Sequence, residues 1–198
     1  SWRPTETDLI LREVTQMRRM RRFKSVEDVV SHQLCIGCGA CASVAGSEVI
    51  RMVDRPEEGL RPVLLRELTL SEHRAALAVC PAIYVAAPDS GQTCDPVLGP
   101  VRGVWVGHAS DRGIRLAGSS GGLLSALSSY CLQHRGARAV AHVGMDSREP
   151  WKNTNFISTE PSEVASHAGS RYAPSSPCEM LSSIRASGVP TVFIGKPC

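Results

Sequence analysis

Aromatic side chains make up only 5% of the 198 residues, and the formal net charge is only +3. Nucleic-acid recognition asks for a wide basic surface with stacking rings, so these two shortages exclude it as the expected role. The one basic run, Arg18, Arg19, Arg21, Arg22 and Lys24, reads as a solvated helix face or as a docking patch for an acidic redox partner. No apolar run approaches the ~18 residues that a bilayer crossing needs, so no membrane span is expected. There is no internal repeat, no G-x-G-x-x-G dinucleotide fingerprint and no Walker loop. No signal-peptide pattern precedes the first cysteine, which points to a cytoplasmic, reducing setting in which disulfides are rare.

Cysteine, by contrast, is plentiful and patterned. Cys35-Ile36-Gly37-Cys38-Gly39-Ala40-Cys41 spaces three thiols as C-x2-C-x2-C, and Cys80-Pro81 offers a fourth far along the chain. Three such thiols converge on one centre if the backbone wraps round it, and a remote Cys-Pro closes the set; this is the ligand pattern of a [4Fe-4S] cluster. Gly37 and Gly39 lie between the ligands, where the loop needs positive φ or a backbone close to the centre. A two-cluster ferredoxin would continue C-x3-C-P, but Ala45 and Gly46 stand there, so a single cluster is expected. The competing arrangements are a structural zinc site, which pairs two C-x2-C knuckles or adds histidines, and a disulfide scaffold, which needs an oxidising compartment. His32, close to Cys35, reads as a surface residue.

Around this loop the patterns alternate. Ile10, Val14, Met17 and Met20 repeat at helical spacing after a Thr5/Asp8 start signal, and Ser25 with Asp28 opens a second short helix from Val26 to about His32. Strands are expected near 48–53 and 61–64, separated by a polar turn over 55–59. A helix should begin at Ser71-Glu72-His73 and end before Pro81. Residues 88–100 have the proline and glycine content of a linker, and Cys94 inside it reads as an accessible thiol without a role. Beyond it, a strand at 103–109, a helix at 123–132 and a strand at 139–145 suggest a βαβ crossover. Further elements are expected at 155–158, 162–167, 177–186 and 191–194. The expected organisation is α/β (α+β overall): an N-terminal helical segment (1–33), a small ferredoxin-like single-cluster module (34–87), the linker (88–100) and an α/β sheet domain with helices on its faces (101–198).

A second site is suggested by Arg115-Leu116-Ala117-Gly118-Ser119-Ser120-Gly121-Gly122, a Ser/Gly run entering a helix at the end of a strand. Unpaired N–H groups at a helix start suit a phosphate or other anion, although serine is equally an ordinary helix cap. Gly169-Ser170-Arg171-Tyr172 and Gly195-Lys196-Pro197-Cys198 are turns of the same character, and a parallel sheet would bring the last of them to the same rim. Cys178 and Cys131 read as buried small hydrophobes.

Taken in order, the glycine-spaced cysteines, Cys80-Pro81, Arg115 with Ser119-Ser120-Gly121-Gly122, Gly169-Ser170-Arg171-Tyr172 and Gly195-Lys196-Pro197-Cys198 resemble the coenzyme F420 hydrogenase/dehydrogenase beta-subunit family, which includes 7-hydroxymethyl chlorophyll a reductase. The resemblance runs from about Val26 to Cys198. It implies an iron–sulfur flavoprotein oxidoreductase or subunit. In it, FAD sits on the α/β domain, electrons pass between FAD and the [4Fe-4S] cluster, and the flavin exchanges a hydride with a substrate such as the deazaflavin coenzyme F420. By position it makes Cys35, Cys38, Cys41 and Cys80 the cluster ligands. Arg115, Ser119, Ser120, Gly121, Gly122, Gly169, Ser170, Tyr172, Lys196 and Cys198 become the candidates near FAD. A redox partner protein or other subunit is implied, and no catalytic residue is assigned. The alternative functions are an electron-transfer module without substrate chemistry and a zinc-stabilised interaction domain. Starting at Ser1 and stopping at Cys198 after an apolar strand, the chain reads as a fragment.

Overall fold

A computed structural model describes residues 23–85, 94–95, 99–101 and 103–195. The expected N-terminal amphipathic helix, Lys196 and Cys198 lie outside the described residues. The architecture is α/β, with short helices against small sheets.

Helix α1 (Val26–Ser31) begins where the sequence signals it: Asp28 N–H donates to Ser25 Oγ, and the Asp28 carboxylate accepts from Ser25 N–H, a reciprocal capping box. It ends in a Schellman motif, with Gln33 N–H donating to Val30 O and Leu34 N–H to Val29 O. The left-handed position of that motif is filled by Gln33 (φ 57°), the one non-glycine residue with positive φ among the described residues. The chain then runs straight into the cysteine loop and α2 (Ala40–Ala45). Strands β1 (Ile50–Arg55) and β2 (Gly59–Leu64) form an antiparallel hairpin in register Ile50↔Leu64 to Arg55↔Gly59. Helix α3 (Leu70–Ala78) is capped by Thr69, two residues before the expected start, because Thr69 and Glu72 complete a second capping box.

Two apolar clusters hold these pieces. Val26, Ala42, Val49, Ile50 and Ala76 form one, with Cys41 against it; Phe23, Val29, Leu77 and Ile83 form the other, with Cys35 and Cys80 against it. Helix α1 contributes Val26 to the first and Val29 to the second, three residues apart on one face. The cysteines are thus carried by packed side chains on both sides.

In the expected linker, β3 (Cys94–Asp95) and β4 (Gly99–Pro100) make a two-rung antiparallel ladder. Strand β5 (Ala139–Met145) is the centre of a three-stranded sheet, antiparallel to β6 (Asn153–Ser158) and parallel to β7 (Thr191–Phe193). The crossover from β6 to β7 carries α6 (Pro161–Ser166), a 3₁₀ turn (Pro177–Glu179) and α7 (Met180–Ser187). The parallel pair therefore exists, but between β5 and β7.

The strand expected at 103–109 does not form. β5 already has a neighbour on each side, so no edge beside it is open to this segment. Val104, Trp105 and Val106 are left outside any strand and exposed. Residues expected as loop instead form α4 (Arg112–Ala117), started by Asp111, whose carboxylate accepts from Ile114 N–H at 2.8 Å. Helix α5 (Leu123–His134) is present, but its apolar periodicity misleads: Ser128 and Ser129 face inward while Leu124 and Leu127 are more than half exposed. The Ser129 hydroxyl is satisfied within the helix, donating to Ser125 O at 2.9 Å.

Candidate functional site

Cys35, Cys38, Cys41 and Cys80 ring one small apolar pocket, together with Val26, Val29 and Pro81. The remote thiol is therefore in reach of the glycine-spaced trio, brought there by α3, whose Leu77 anchors the turn before Cys80. Glycine is required at both intervening positions. Gly37 has φ 73°, and a Cβ there would stand 2.7 Å from Leu60 O; Gly39 has φ 83°, and its Cβ would meet Glu179 Cγ at 2.7 Å. The first contact is with the backbone of β2 and cannot swing aside.

The thiols feel one another. Burial pushes the Cys41 thiol up to about 12, and the neighbouring Cys38, Cys35 and Cys80 charges push the same way. Burial likewise raises Cys80, with Cys38 and Cys35 adding to it. Cys38 goes the other way, down to about 6, because it accepts a hydrogen bond from the Cys178 thiol. Four soft sulfur donors and no hard ligand are a set for zinc or iron–sulfur centres, and a coordinated metal deprotonates such thiols outright. The space between them is about 30 Å³, room for little more than a water. Among the described residues, no three His, Cys, Asp or Glu side chains are close enough to share one metal ion. The donor set fits a cluster by chemistry; the void as it stands is smaller than one. All six described cysteines outside the two-rung ladder lie outside any disulfide.

The second expected site is assembled from separate turns. Gly118, Ser119, Ser120 and Gly122 line a pocket of about 150 Å³ with Gly169 and Ser170, and Ile194 reaches it from the end of β7. Ser170 N–H donates to Ser119 Oγ at 2.6 Å, tying the two turns together. Close backbone approach explains the glycines: a Cβ on Gly122 (φ 67°) would collide with Ile114 O, and one on Gly118 would collide with Gly122 Cα. No side chain caps the first turn of α5, and its Leu123, Leu124 and Ser125 open onto this pocket.

The other candidates are placed elsewhere. Gly121 carries a backbone bond to Ala109 N–H at 2.7 Å without lining the pocket. Arg115 is exposed on α4, and Tyr172 is 99% exposed. The cation of the Gly-Ser-Arg-Tyr turn is spent on structure: Arg171 donates to Asn153 Oδ1 at 2.6 Å and to Pro150 O at 2.6 Å, clamping the turn to β6.

Three residues escape the sequence reading. His142, buried in mid-β5, and His167 both line the 150 Å³ pocket. His142 Nε2 hydrogen-bonds Ser158 Oγ at 2.9 Å, and Phe156 stacks against His167 with centroids 3.9 Å apart. Burial, then the nearby His167, pulls the His142 pKa below its ordinary value. The one signal in the sequence is a lone histidine inside the apolar run Ala139 to Met145. The third is Cys178. Expected as a buried small hydrophobe, it is half-buried in the 3₁₀ turn, with its N–H donated to Cys38 O at 2.9 Å. It shares a further cavity of about 320 Å³ with Cys38, Arg61, Arg171 and Phe193, between the cysteine loop and the α/β half.

A thiol-ringed loop packed on an α/β sheet with a glycine-serine rim pocket defines the chain by class. Residues 104–184 match the family described as coenzyme F420 hydrogenase/dehydrogenase, beta subunit N-terminal. This match supports the family that the motifs suggest. The matched residues include both turns of the rim pocket and Cys178, and the cysteine loop precedes them. No curated protein gives a significant match. Among the described residues, no helix is long and apolar enough to cross a membrane.

Proposed function

We propose that the chain is the cluster-bearing part of an iron–sulfur flavoprotein oxidoreductase or subunit. In this reading Cys35, Cys38, Cys41 and Cys80 hold one [4Fe-4S] cluster, and the α/β part takes FAD. When bound, the cluster supplies single-electron steps and the flavin joins them to hydride exchange with a substrate such as a deazaflavin. The single observation that carries the reading is the convergence of the remote Cys80 with the glycine-spaced trio on one pocket, and the match of residues 104–184 to the F420 hydrogenase/dehydrogenase beta-subunit family supports it.

The chain's residues divide the work. Cys35 and Cys80 rest on one apolar cluster and Cys41 on the other, so these ligands are held from two sides. Ser119, Ser120, Ser170 and the uncapped start of α5 present hydrogen-bonding groups for an anionic part of the flavin, such as its phosphates. A 150 Å³ pocket is smaller than the ~300 Å³ and upward of a whole cofactor site, so it takes that part alone. Cys38 also lines the 320 Å³ cavity with Arg171, Cys178 and Phe193, and would be the cluster ligand that borders the α/β half. A beta-subunit family implies a partner subunit, and reduced thiols suit the cytoplasm.

The test is anaerobic reconstitution with iron and sulfide. Expected are about four irons and four sulfides per chain, lost in Cys80→Ser. Zinc without acid-labile sulfide would overturn the reading. A second reading, an electron-transfer module without flavin of its own, is favoured by one observation: among the described residues, no lysine or arginine lines the rim pocket. Cluster signals without stoichiometric flavin in the protein joined to its partner subunit would select it.

A further inference from the structure

Four cysteines satisfy one cubane, yet a fifth sulfur is built against the set. Cys178 sits in the 3₁₀ turn Pro177–Glu179, and two bonds fix it on Cys38: its N–H donates to Cys38 O at 2.9 Å, and the two side chains hydrogen-bond. The turn itself is held. The Ser176 hydroxyl donates to the Glu179 carboxylate, Asn155 of β6 donates from Nδ2 to Ser176 O at 3.0 Å, and Ser176 is buried. Glu179 and Ser176 also close over Gly39, so a side chain there would strike both. The Cys38 end of the loop is thereby clamped by the α/β half, while the other three thiols rest on the apolar clusters of their own half.

A thiol is a weak donor, but a donor aimed at a ligand sulfur acts differently on the two oxidation states. Reduction adds negative charge to the cluster and its thiolates, and a hydrogen bond to that sulfur is stronger when the charge is larger. Hydrogen bonds to the sulfurs are one of the recognised settings of cluster potential, as outer partners are for metal sites in general. From this juxtaposition we infer that Cys178 is a positioning residue for the cluster: its thiol donates to the Cys38 sulfur and raises the reduction potential, and its main-chain N–H fixes the loop. It is not a fifth ligand. The inference rests on the cluster reading above.

The experiment is a redox titration of the reconstituted chain, followed by the signal of the reduced cluster in electron paramagnetic resonance, for wild type, Cys178→Ala and Cys178→Ser. Iron and sulfide content should be the same in all three, since the four ligands and the main-chain N–H remain. The potential should fall in Cys178→Ala and return towards or above the wild-type value in Cys178→Ser, whose hydroxyl is the better donor. An unmoved potential in Cys178→Ala with the cluster intact overturns the inference and leaves the cluster reading standing. Loss of iron in both variants, with retention in Cys80→Ser, overturns it by making Cys178 a ligand. A wild-type chain that takes up no iron and sulfide removes the cluster reading itself, a result distinct from either.

Discussion

Gly37→Ala tests whether the cysteine loop is built as described, and a control separates the two costs of the substitution. A non-glycine residue at φ 73° pays the left-handed penalty, about 1–2 kcal/mol. The added Cβ would also stand 2.7 Å from Leu60 O and 3.3 Å from Leu60 Cβ, an overpacking that costs typically ~1–3 kcal/mol. Leu60 O belongs to β2, paired with β1 at Asp54↔Leu60, so relief requires moving the hairpin. Gly136 has nearly the same φ, 71°, and a Cβ added there would meet nothing within 4 Å. Gly136→Ala therefore carries the first cost alone. Any gain from stiffening the unfolded chain is common to both variants and cancels in the comparison. Urea unfolding of the cluster-free protein should place Gly37→Ala below Gly136→Ala by about 1–3 kcal/mol at unchanged m-value. Reconstitution should also give less iron per chain in Gly37→Ala than in Gly136→Ala. Equal losses in the two would refute the reasoning, because the close approach to Leu60 would then carry no energy.

Other expectations follow from local features. Gln33→Gly should stabilise the protein by about 1 kcal/mol, since glycine removes the left-handed penalty at φ 57° while the two Schellman bonds stay; an unfolding midpoint at or below wild type would contradict it. His142, pulled below its ordinary pKa by burial and by His167, with a backbone hydrogen bond at Val143 and then Glu163 acting the other way, should make the protein acid-sensitive. Its contribution is fully present above the unfolded-state value near 6.5 and declines as pH falls below that, levelling once the lowered folded value is passed, at no more than about 1.4 kcal/mol per pH unit. Thermal melts of His142→Gln across this window should be flatter than wild type; parallel curves would remove His142 as the cause.

What the residues reveal in advance follows how local the determining physics is. The Ser25/Asp28 start signal, the polar turn over 55–59, the strand at 139–145 and the stop before Pro81 are all set by neighbours a few positions apart, and each is where it was expected. Sheet membership is not local. The segment at 103–109 has strand composition, but whether it pairs depends on whether β5 has a free edge, and β6 and β7 occupy both. Helix α5 shows the same limit in burial: its leucines predict an inward face, whereas the face turned inward is that of Ser128 and Ser129. Two of the turns that line the rim pocket are legible separately in the sequence, and what joins them, Ser170 N–H on Ser119 Oγ across 51 positions, is not. Arg171 illustrates the consequence for function. In sequence it is a cation in a glycine turn and suggests an anion; in space its guanidinium is committed to Asn153 and to backbone oxygens of the preceding loop. Among the described residues, the hydrogen-bonding capacity of the rim therefore resides in serines, main-chain N–H groups and the imidazoles of His142 and His167, and not in the Arg171 guanidinium.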